Sequence, residues 1–182
     1  MAAKLKGMSL ALCCLVPLAQ AVQAENCQLS VNQPRVDYGV IRREAFVEGP
    51  TMKLETRSLA LNVVCIEPSI MVLRFVGAAD GQGFRFGSQG RFRLSLKHAQ
   101  VDGHAVEWSA PSQPGDGSSG QLLPGQVLVA RVAGMPVSGR RLTAQVNIDA
   151  DLPSSALHVR NQTLLEGQGS FELVSPAVPR SR

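Results

Sequence analysis

Aromatic residues are scarce in this chain of 182 residues, which contains six Phe, one Trp and one Tyr. Sugar-binding modules commonly stack their ligands on exposed aromatic faces, so this scarcity counts against a lectin. The three histidines, His98, His104 and His158, share no metal-ligand spacing, and the zinc-protease motif H-E-x-x-H is absent. We therefore expect the histidines on the surface and predict no metal site.

Motifs of enzyme chemistry are also missing. No G-x-S-x-G sequence marks a nucleophile elbow. Gly81-Gln82-Gly83 has the glycines of a phosphate-binding loop, but neither a P-loop lysine nor a helical pattern follows it. Asp149 and Asp151 would share one face of a strand, yet they stand just before Pro153, where acidic turn residues are common. We predict that the protein is not an enzyme and uses no cofactor.

Charge of one sign is not concentrated anywhere. The chain has 18 basic and 14 acidic residues and a formal net charge of +4. Only Arg42-Arg43 and Arg140-Arg141 are adjacent arginines, and no basic run is interleaved with aromatic residues. This pattern predicts neither nucleic-acid binding nor a strong attraction to a membrane surface.

The N-terminus carries the features of a targeting signal. Two lysines precede apolar residues from Met8 to Ala19, and Val22-Gln23-Ala24 supplies the small residues of a cleavage site. This layout is typical of a secretory signal peptide, and its apolar core is too short for a membrane span. We predict a signal peptide at residues 1–24 and a single secreted domain at residues 25–182.

Few cysteines remain after this cleavage. Cys13 and Cys14 belong to the removed segment, which leaves Cys27 and Cys65 in an oxidising compartment. A lipid anchor on Cys13 would require a small residue before it, and Leu12 is not small. A zinc pair would require further ligands close by, and neither remaining cysteine has a Cys or His within five residues. We predict a Cys27–Cys65 disulfide, which would stabilise the fold by roughly 3–4 kcal/mol.

No stretch of the predicted domain keeps a helical period, and short β-patterned runs alternate with turn signals. Leu59 to Ile66 has the clearest strand pattern, with Leu59, Leu61 and Val63 at every second position. Ile70 to Val76 is strongly apolar, so we expect it to be buried on both faces beside Leu59 to Ile66 at the centre of one sheet. Gly77 to Gly90 is predicted to be a flexible turn anchored by Phe84 and Phe86. Further strands are expected at Leu29 to Asn32, Arg91 to Leu96, Ala105 to Trp108, Val127 to Val132, Leu142 to Ile148, Leu157 to Leu165 and Ser170 to Val174. The series predicts an all-β fold, an immunoglobulin-like antiparallel β-sandwich.

Four features of this series occur together in one known family. They are Cys27 in the first strand, Val36-Asp37-Tyr38-Gly39 after it, Leu59 to Cys65 in the second strand, and Phe171 to Val174 near the C-terminus. With them the chain resembles the pilin-like subunits of bacterial chaperone–usher fimbriae. The resemblance implies an incomplete sandwich that lacks its last strand. A periplasmic chaperone lends that strand, and a neighbouring subunit later replaces it.

The resemblance also implies partners and a location. The partners would be the periplasmic chaperone, an outer-membrane usher and other fimbrial subunits, and the protein would be secreted through the periplasm to a fimbrium or the cell surface. The groove for the borrowed strand would lie between the first and last strands. Its alternating apolar residues would be Leu29 and Val31 on one side, and Phe171 and Leu173 on the other.

The N-terminus departs from the family pattern. Family subunits carry a donor extension before the first cysteine, whereas only Glu25 and Asn26 would precede Cys27 here. Two residues span about 7 Å and cannot fill a groove. The resemblance therefore implies a subunit that receives a strand without donating one, in a terminal or minor position.

A second hypothesis is a self-contained immunoglobulin-like binding module or adhesin domain. It requires a final strand supplied in cis, for which Ser170 to Val178 is the candidate. The C-terminus also departs from the fimbrial pattern of alternating apolar residues, because Pro176 and Pro179 would interrupt a strand there. Ser181 stands where the fimbrial family has a penultimate tyrosine.

Overall fold

The computed structural model describes residues 26–41, 49–111, 120–158 and 163–174, and over these residues the chain is built from β-strands. The predicted signal peptide lies outside the described residues. A 3-10 turn spans Ser154–Leu157, and no α-helix occurs in the part that is described. In chain order the strands are β1 (Cys27–Val31), β2 (Thr51–Lys53), β3 (Arg57–Ile70), β4 (Val72–Gly77), β5 (Ala79–Asp80), β6 (Gly83–Phe86), β7 (Gly90–Val101), β8 (His104–Ala105), β9 (Glu107–Ser109), β10 (Gln121–Leu122), β11 (Val127–Val132), β12 (Met135–Pro136), β13 (Ser138–Pro153) and β14 (Gly169–Leu173).

The strands form two antiparallel sheets. The larger sheet has nine strands in the order β1-β3-β13-β7-β6-β5, with β2 beside β13 and with β8 and β10 beside β7. The smaller sheet has five strands in the order β12-β11-β4-β14, with β9 beside β11. Apolar side chains from both sheets pack into one core. The prediction of an all-β, immunoglobulin-like antiparallel sandwich is confirmed.

Alternation along the long strands decides which side chains enter this core. In β3, Leu61 and Val63 are buried, whereas Val64 is exposed. β13 pairs with β3 in a register that places Leu142 opposite Val63 and Ala144 opposite Leu61. Successive side chains of a strand point to opposite faces, so this register puts both apolar rows on the inner face of the sheet.

β3 and β4 do not lie side by side, which corrects the prediction that they share the centre of one sheet. Met71 separates them and is fully buried. Its N–H donates to the C=O of Val137 at 3.4 Å, and its C=O accepts from the N–H of Ala130 at 2.9 Å. The chain therefore passes at Met71 from the larger sheet into the smaller one, where β4 lies between β11 and β14.

β4 is buried on both faces only at its start. Val72 and Leu73 are both buried, whereas Arg74 and Val76 face solvent on either side of the buried Phe75. The expectation of a strand buried throughout is thus wrong beyond Leu73. The outer face of the smaller sheet meets solvent there, and an alternating pattern is what a half-exposed strand requires.

Two connecting segments also differ from expectation. The glycine-rich stretch after β4 contains a hairpin, β5 paired with β6, and is therefore more than a flexible turn. Phe84 and Phe86 are buried in it, as the anchoring prediction requires. No strand forms over the described parts of Leu157 to Leu165, because Leu157 ends the 3-10 turn and residues 163–168 have an irregular backbone.

Leu61 offers a test of the inward-facing register. We expect Leu61→Ala to lower the free energy of unfolding by about 2–5 kcal/mol, because this side chain is completely buried and its loss leaves a cavity. Val64→Ala, on the outer face of the same strand, should change it by no more than about 0.5 kcal/mol. Urea unfolding of both variants measures the difference. Equal losses would contradict the register.

Candidate functional site

β1 and β14 are neighbouring outer strands at one side of the sandwich. β1 belongs to the larger sheet and pairs with β3, and β14 belongs to the smaller sheet and pairs with β4. Each strand has a second edge that no other described strand covers. Unpaired strand edges carry backbone N–H and C=O groups that are able to bind a further strand.

The register of β14 shows which of its groups are free. The N–H of Val174 donates to the C=O of Val72 at 2.9 Å. In an antiparallel pair, residues alternate between those that bond to the partner strand and those whose groups point away from it. Ser170 and Glu172 therefore bond to β4, and the N–H and C=O groups of Gly169, Phe171 and Leu173 point to the free edge.

β1 shows the same alternation of bonded and free backbone groups. The N–H of Ile66 donates to the C=O of Asn26 at 2.9 Å, and the N–H of Asn32 donates to the C=O of Ala60 at 3.0 Å. The even-numbered residues of this strand thus bond to β3. The backbone groups of Cys27, Leu29 and Val31 point to the free edge, and the side chains of these three residues are the half-buried ones.

A cavity of about 740 Å³ lies between the two free edges, and we call it the groove. β1 contributes Leu29 and Val31 to one wall, and β14 contributes Gly169 and Phe171 to the other. The two strands approach within 8 Å between Cα atoms. A strand inserted between two others needs about 9.6 Å, which is two strand spacings. An occupant must therefore move the walls apart where they are closest.

Aromatic rings form much of the groove floor. Phe75 and Phe92 line it, with ring centroids 6.1 Å apart in an edge-to-face arrangement. Phe75 also contacts the ring of Phe171 in the wall at 4.9 Å. Gly169 permits this packing, because a Cβ atom at that position would overlap the Phe75 ring. The aliphatic part of the floor comes from the larger sheet and consists of Leu59, Leu94, Ile148 and Ala150.

Three of the four groove residues expected from the sequence line the cavity, namely Leu29, Val31 and Phe171. Leu173 is half-buried and packs against the core without lining it. Sequence reasoning missed the aromatic floor and two flanking segments, residues 34–38 and 164–168. The alternation of Phe75 between Arg74 and Val76 was a signal for an inward side chain, but it did not indicate which cavity that side chain would meet.

The Cys27–Cys65 disulfide joins the β1 wall to the body of the larger sheet. The two cysteines lie directly opposite each other in the pairing of β1 with β3, so the predicted bridge is confirmed. Just before it, the side-chain amide of Asn26 donates to the C=O of Glu67 at 3.0 Å and accepts from the N–H of Glu67 at 2.8 Å. The start of β1 is thereby held in register with the end of β3.

Tyr38 lines the groove as the last residue of the segment 34–38, which follows β1. Its ring meets the edge of Phe86 at 6.0 Å, and the guanidinium of Arg57 lies 5.8 Å from the ring centroid. Its hydroxyl donates to the C=O of Ile148 at 3.4 Å. Burial raises the pKa of the Tyr38 hydroxyl; Arg57 opposes that rise and Asp149 adds to it.

The polar residues considered for catalysis have structural partners or face solvent. Asp149 accepts from the hydroxyl of Thr56 at 2.6 Å, and Asp151 pairs with Arg93 at 2.9 Å. The three histidines are exposed. Within residues 26–41, 49–111, 120–158 and 163–174, no group of His, Cys, Asp and Glu is arranged to hold a metal ion. The described chain also has no helix long and apolar enough to cross a membrane.

No known protein family and no curated protein matches this chain. The groove between β1 and β14 therefore has to be interpreted from its own geometry.

Removing the disulfide tests how firmly the β1 wall is held. We expect the double variant Cys27→Ser, Cys65→Ser to lose about 3–4 kcal/mol of unfolding free energy, since the bridge closes a loop of 38 positions in the unfolded chain. Denaturant titration with and without dithiothreitol measures the loss. The unmodified protein should lose stability on reduction and the variant should not. A variant as stable as the oxidised protein would contradict this role.

The raised pKa of Tyr38 predicts a loss of stability at high pH. The unfolded chain releases the tyrosine proton near pH 10, before the folded chain does. The contribution of Tyr38 to the free energy of unfolding is therefore fully present below about pH 10, and it is lost as the pH rises through the pKa of the folded state. Between pH 9 and pH 11 the parent should lose more unfolding free energy than Tyr38→Phe. Because the chain has one tyrosine, its absorbance titration gives the folded pKa directly, and a midpoint at or below 10 would contradict the burial.

Proposed function

We propose that this protein is a structural subunit of a fimbria or a fimbria-like surface fibre, and that a periplasmic chaperone assembles it by strand addition. The groove carries the proposal, because free backbone groups and inward apolar side chains occur on the same residues of both walls. A strand entering the groove could bond to either edge with its backbone and fill the cavity with every second side chain. Few other kinds of ligand would use both the free backbone groups and the inward apolar side chains.

The energetics favour an occupied groove. Each buried apolar side chain of an incoming strand would contribute about 1.5–3 kcal/mol of burial, and each backbone hydrogen bond about 0.5–1.5 kcal/mol net. An uncovered edge beside an apolar cavity is also a template for aggregation. A chain with these features needs a partner as soon as it folds. This need is the physical reason for a chaperone that lends a strand and an usher that exchanges it for another subunit's strand.

Secretion and the disulfide are consistent with that route. The predicted signal peptide would deliver the chain to the periplasm, which is an oxidising compartment where the Cys27–Cys65 bridge forms. With cleavage after Ala24, two residues would precede Cys27. One of them, Asn26, is bonded to Glu67 of the same chain. The N-terminus is then too short and too firmly held to act as a donor, which favours a terminal or minor position in the fibre.

The alternative, a self-contained binding module or adhesin domain, requires the chain to fill its own groove. Its candidate was a final strand at Ser170 to Val178. The described part of that stretch is β14, which forms a wall of the groove instead of occupying it. This arrangement favours the subunit over the self-contained module.

A strand supplied in cis tests the proposal. We replace residues 175–182 with a short turn and a strand of about seven residues that alternates Thr and Val, so that it folds back along the free edge of β14. The parent chain, expressed alone in the periplasm, should aggregate or be degraded. The extended chain should be monomeric and should melt at least about 4 °C higher than refolded parent. Size-exclusion chromatography and thermal unfolding provide the measurements.

Two controls separate groove filling from a general effect of the extension. An extension that alternates Thr and Ser should not rescue the chain, because it brings no apolar side chains. In the extended chain, Phe171→Glu places a charge in the groove and should remove most of the gain, whereas Ser170→Glu on the outer face of the same strand should retain it. A parent chain that is monodisperse and as stable as the extended one would refute the proposal.

A further inference from the structure

The two ends of the groove are built differently. On the side of Cys27 and Leu173, the lining stops at Leu29 on β1 and at Phe171 on β14. On the opposite side, the chain that leaves β1 stays in the groove, because residues 34–38 line it. Val36 and Tyr38 of this segment pack against the core, while Arg35 and Asp37 are exposed. The groove lining thus ends at Leu29 and Phe171 on one side, and on the other side the groove is bordered by its own chain.

Side-chain contacts fix the bordering segment in place. Tyr38 is held by the ring of Phe86 from β6, by the guanidinium of Arg57 from β3 and by the C=O of Ile148 from β13. Directly after it, Gly39 has a φ of 67°, and its N–H donates to Asp37 Oδ1 at 2.7 Å. The chain therefore turns immediately after Tyr38 and leaves the ring anchored on three strands.

The other flank of this end consists of residues 164–168 and is attached to Gly87, the residue that follows Phe86. The N–H of Gly87 donates to the C=O of Glu166 at 2.8 Å. A Cβ atom at Gly87, which has a φ of 62°, would press into Leu165. One flank thus packs on Phe86 and the other on Gly87. Both flanks of this end are therefore attached to two consecutive residues of the chain.

We infer that Tyr38 closes this end of the groove and sets the length of the strand that the groove accepts. The inference rests on the proposed strand addition and identifies the residue that limits it. A strand paired with the free edge of β14 would run from the level of Leu173, just beyond the end of the lining at Phe171, to about the level of Gly167, next to the flank that contains Leu165. At about 3.4 Å per residue this is space for about seven residues. The next inward side chain would meet the Tyr38 ring.

Extended chains of graded length provide the test. The appended strand starts from a fixed turn after Val174, so its last residue is always the one nearest to Tyr38. Strands of five, seven and nine residues place successively more apolar side chains in the groove. In the parent and in Tyr38→Phe, the melting temperature should rise from five to seven residues and should not rise further at nine. In Tyr38→Ala, the nine-residue strand should melt about 4 °C or more above the seven-residue strand.

A second measurement does not depend on a destabilising substitution. Tyr38 is the single tyrosine of the chain, so incorporation of 3-fluorotyrosine gives one fluorine NMR signal from the closed end of the groove. This signal should be alike with five- and seven-residue strands and should shift or broaden with nine residues. In the melting series, Tyr38→Phe removes the hydroxyl but keeps the ring, so it shows whether the ring or the hydrogen bond to Ile148 limits the strand length.

The outcomes separate the two proposals. If the nine-residue strand stabilises the parent as much as it stabilises Tyr38→Ala, Tyr38 is no limit and the inference is wrong while strand addition stands. A fluorine signal that stays unchanged at every length would contradict the inference in the same way. If no strand of any length stabilises any of the chains, strand addition itself fails, and the inference fails with it.

Discussion

The pairing registers of β1 with β3 and of β14 with β4 are the constraint on which the groove depends. Side-chain direction and backbone direction both alternate from one residue to the next along a strand. In β1 and β14, the residues that point their side chains into the sandwich also point their backbone groups to the free edge. A slip of one residue in either pair would reverse both directions at once. The disulfide, placed between directly opposed residues, holds β1 against such a slip.

The aromatic cluster explains how the groove keeps its shape. Phe75 belongs to the same strand that pairs with β14, and its ring contacts Phe84 at 4.7 Å and Phe171 at 4.9 Å. The β14 wall and the part of the floor formed by Phe75 are therefore built from adjacent strands of the smaller sheet. Phe84 on β6 and Phe92 on β7, with ring centroids 5.5 Å apart, extend the cluster into the larger sheet. Edge contacts between rings are directional, so the cluster holds the floor in one arrangement beneath an uncovered edge.

The sequence was most informative where a strand has one face on the core and the other face in solvent. Alternation identified β1, β3 and β14, and the cysteine count identified the bridge. Alternation did not assign β3 and β4 to different sheets, because periodicity indicates which face of a strand is buried and not which sheet the strand joins. The sheet change depends on two hydrogen bonds between residues distant in sequence, from the N–H of Met71 to Val137 and from the N–H of Ala130 to Met71. Tyr38 and residues 164–168 were missed for a related reason, since both border the groove without belonging to a strand.

The placement of charge indicates what kind of association the groove would favour. Arg74 and Glu172 pair at 2.6 Å across β4 and β14, on residues whose side chains point away from the core. Arg93 and Asp151 pair at 2.9 Å on the outer face of the larger sheet. The groove floor consists of apolar side chains, and the charged lining residues Arg35, Asp37 and Glu166 lie in the flanking segments. Steering by charge mainly raises association rates, whereas desolvated apolar and backbone contacts mainly slow dissociation. A strand held against this floor would therefore be retained chiefly by slow dissociation.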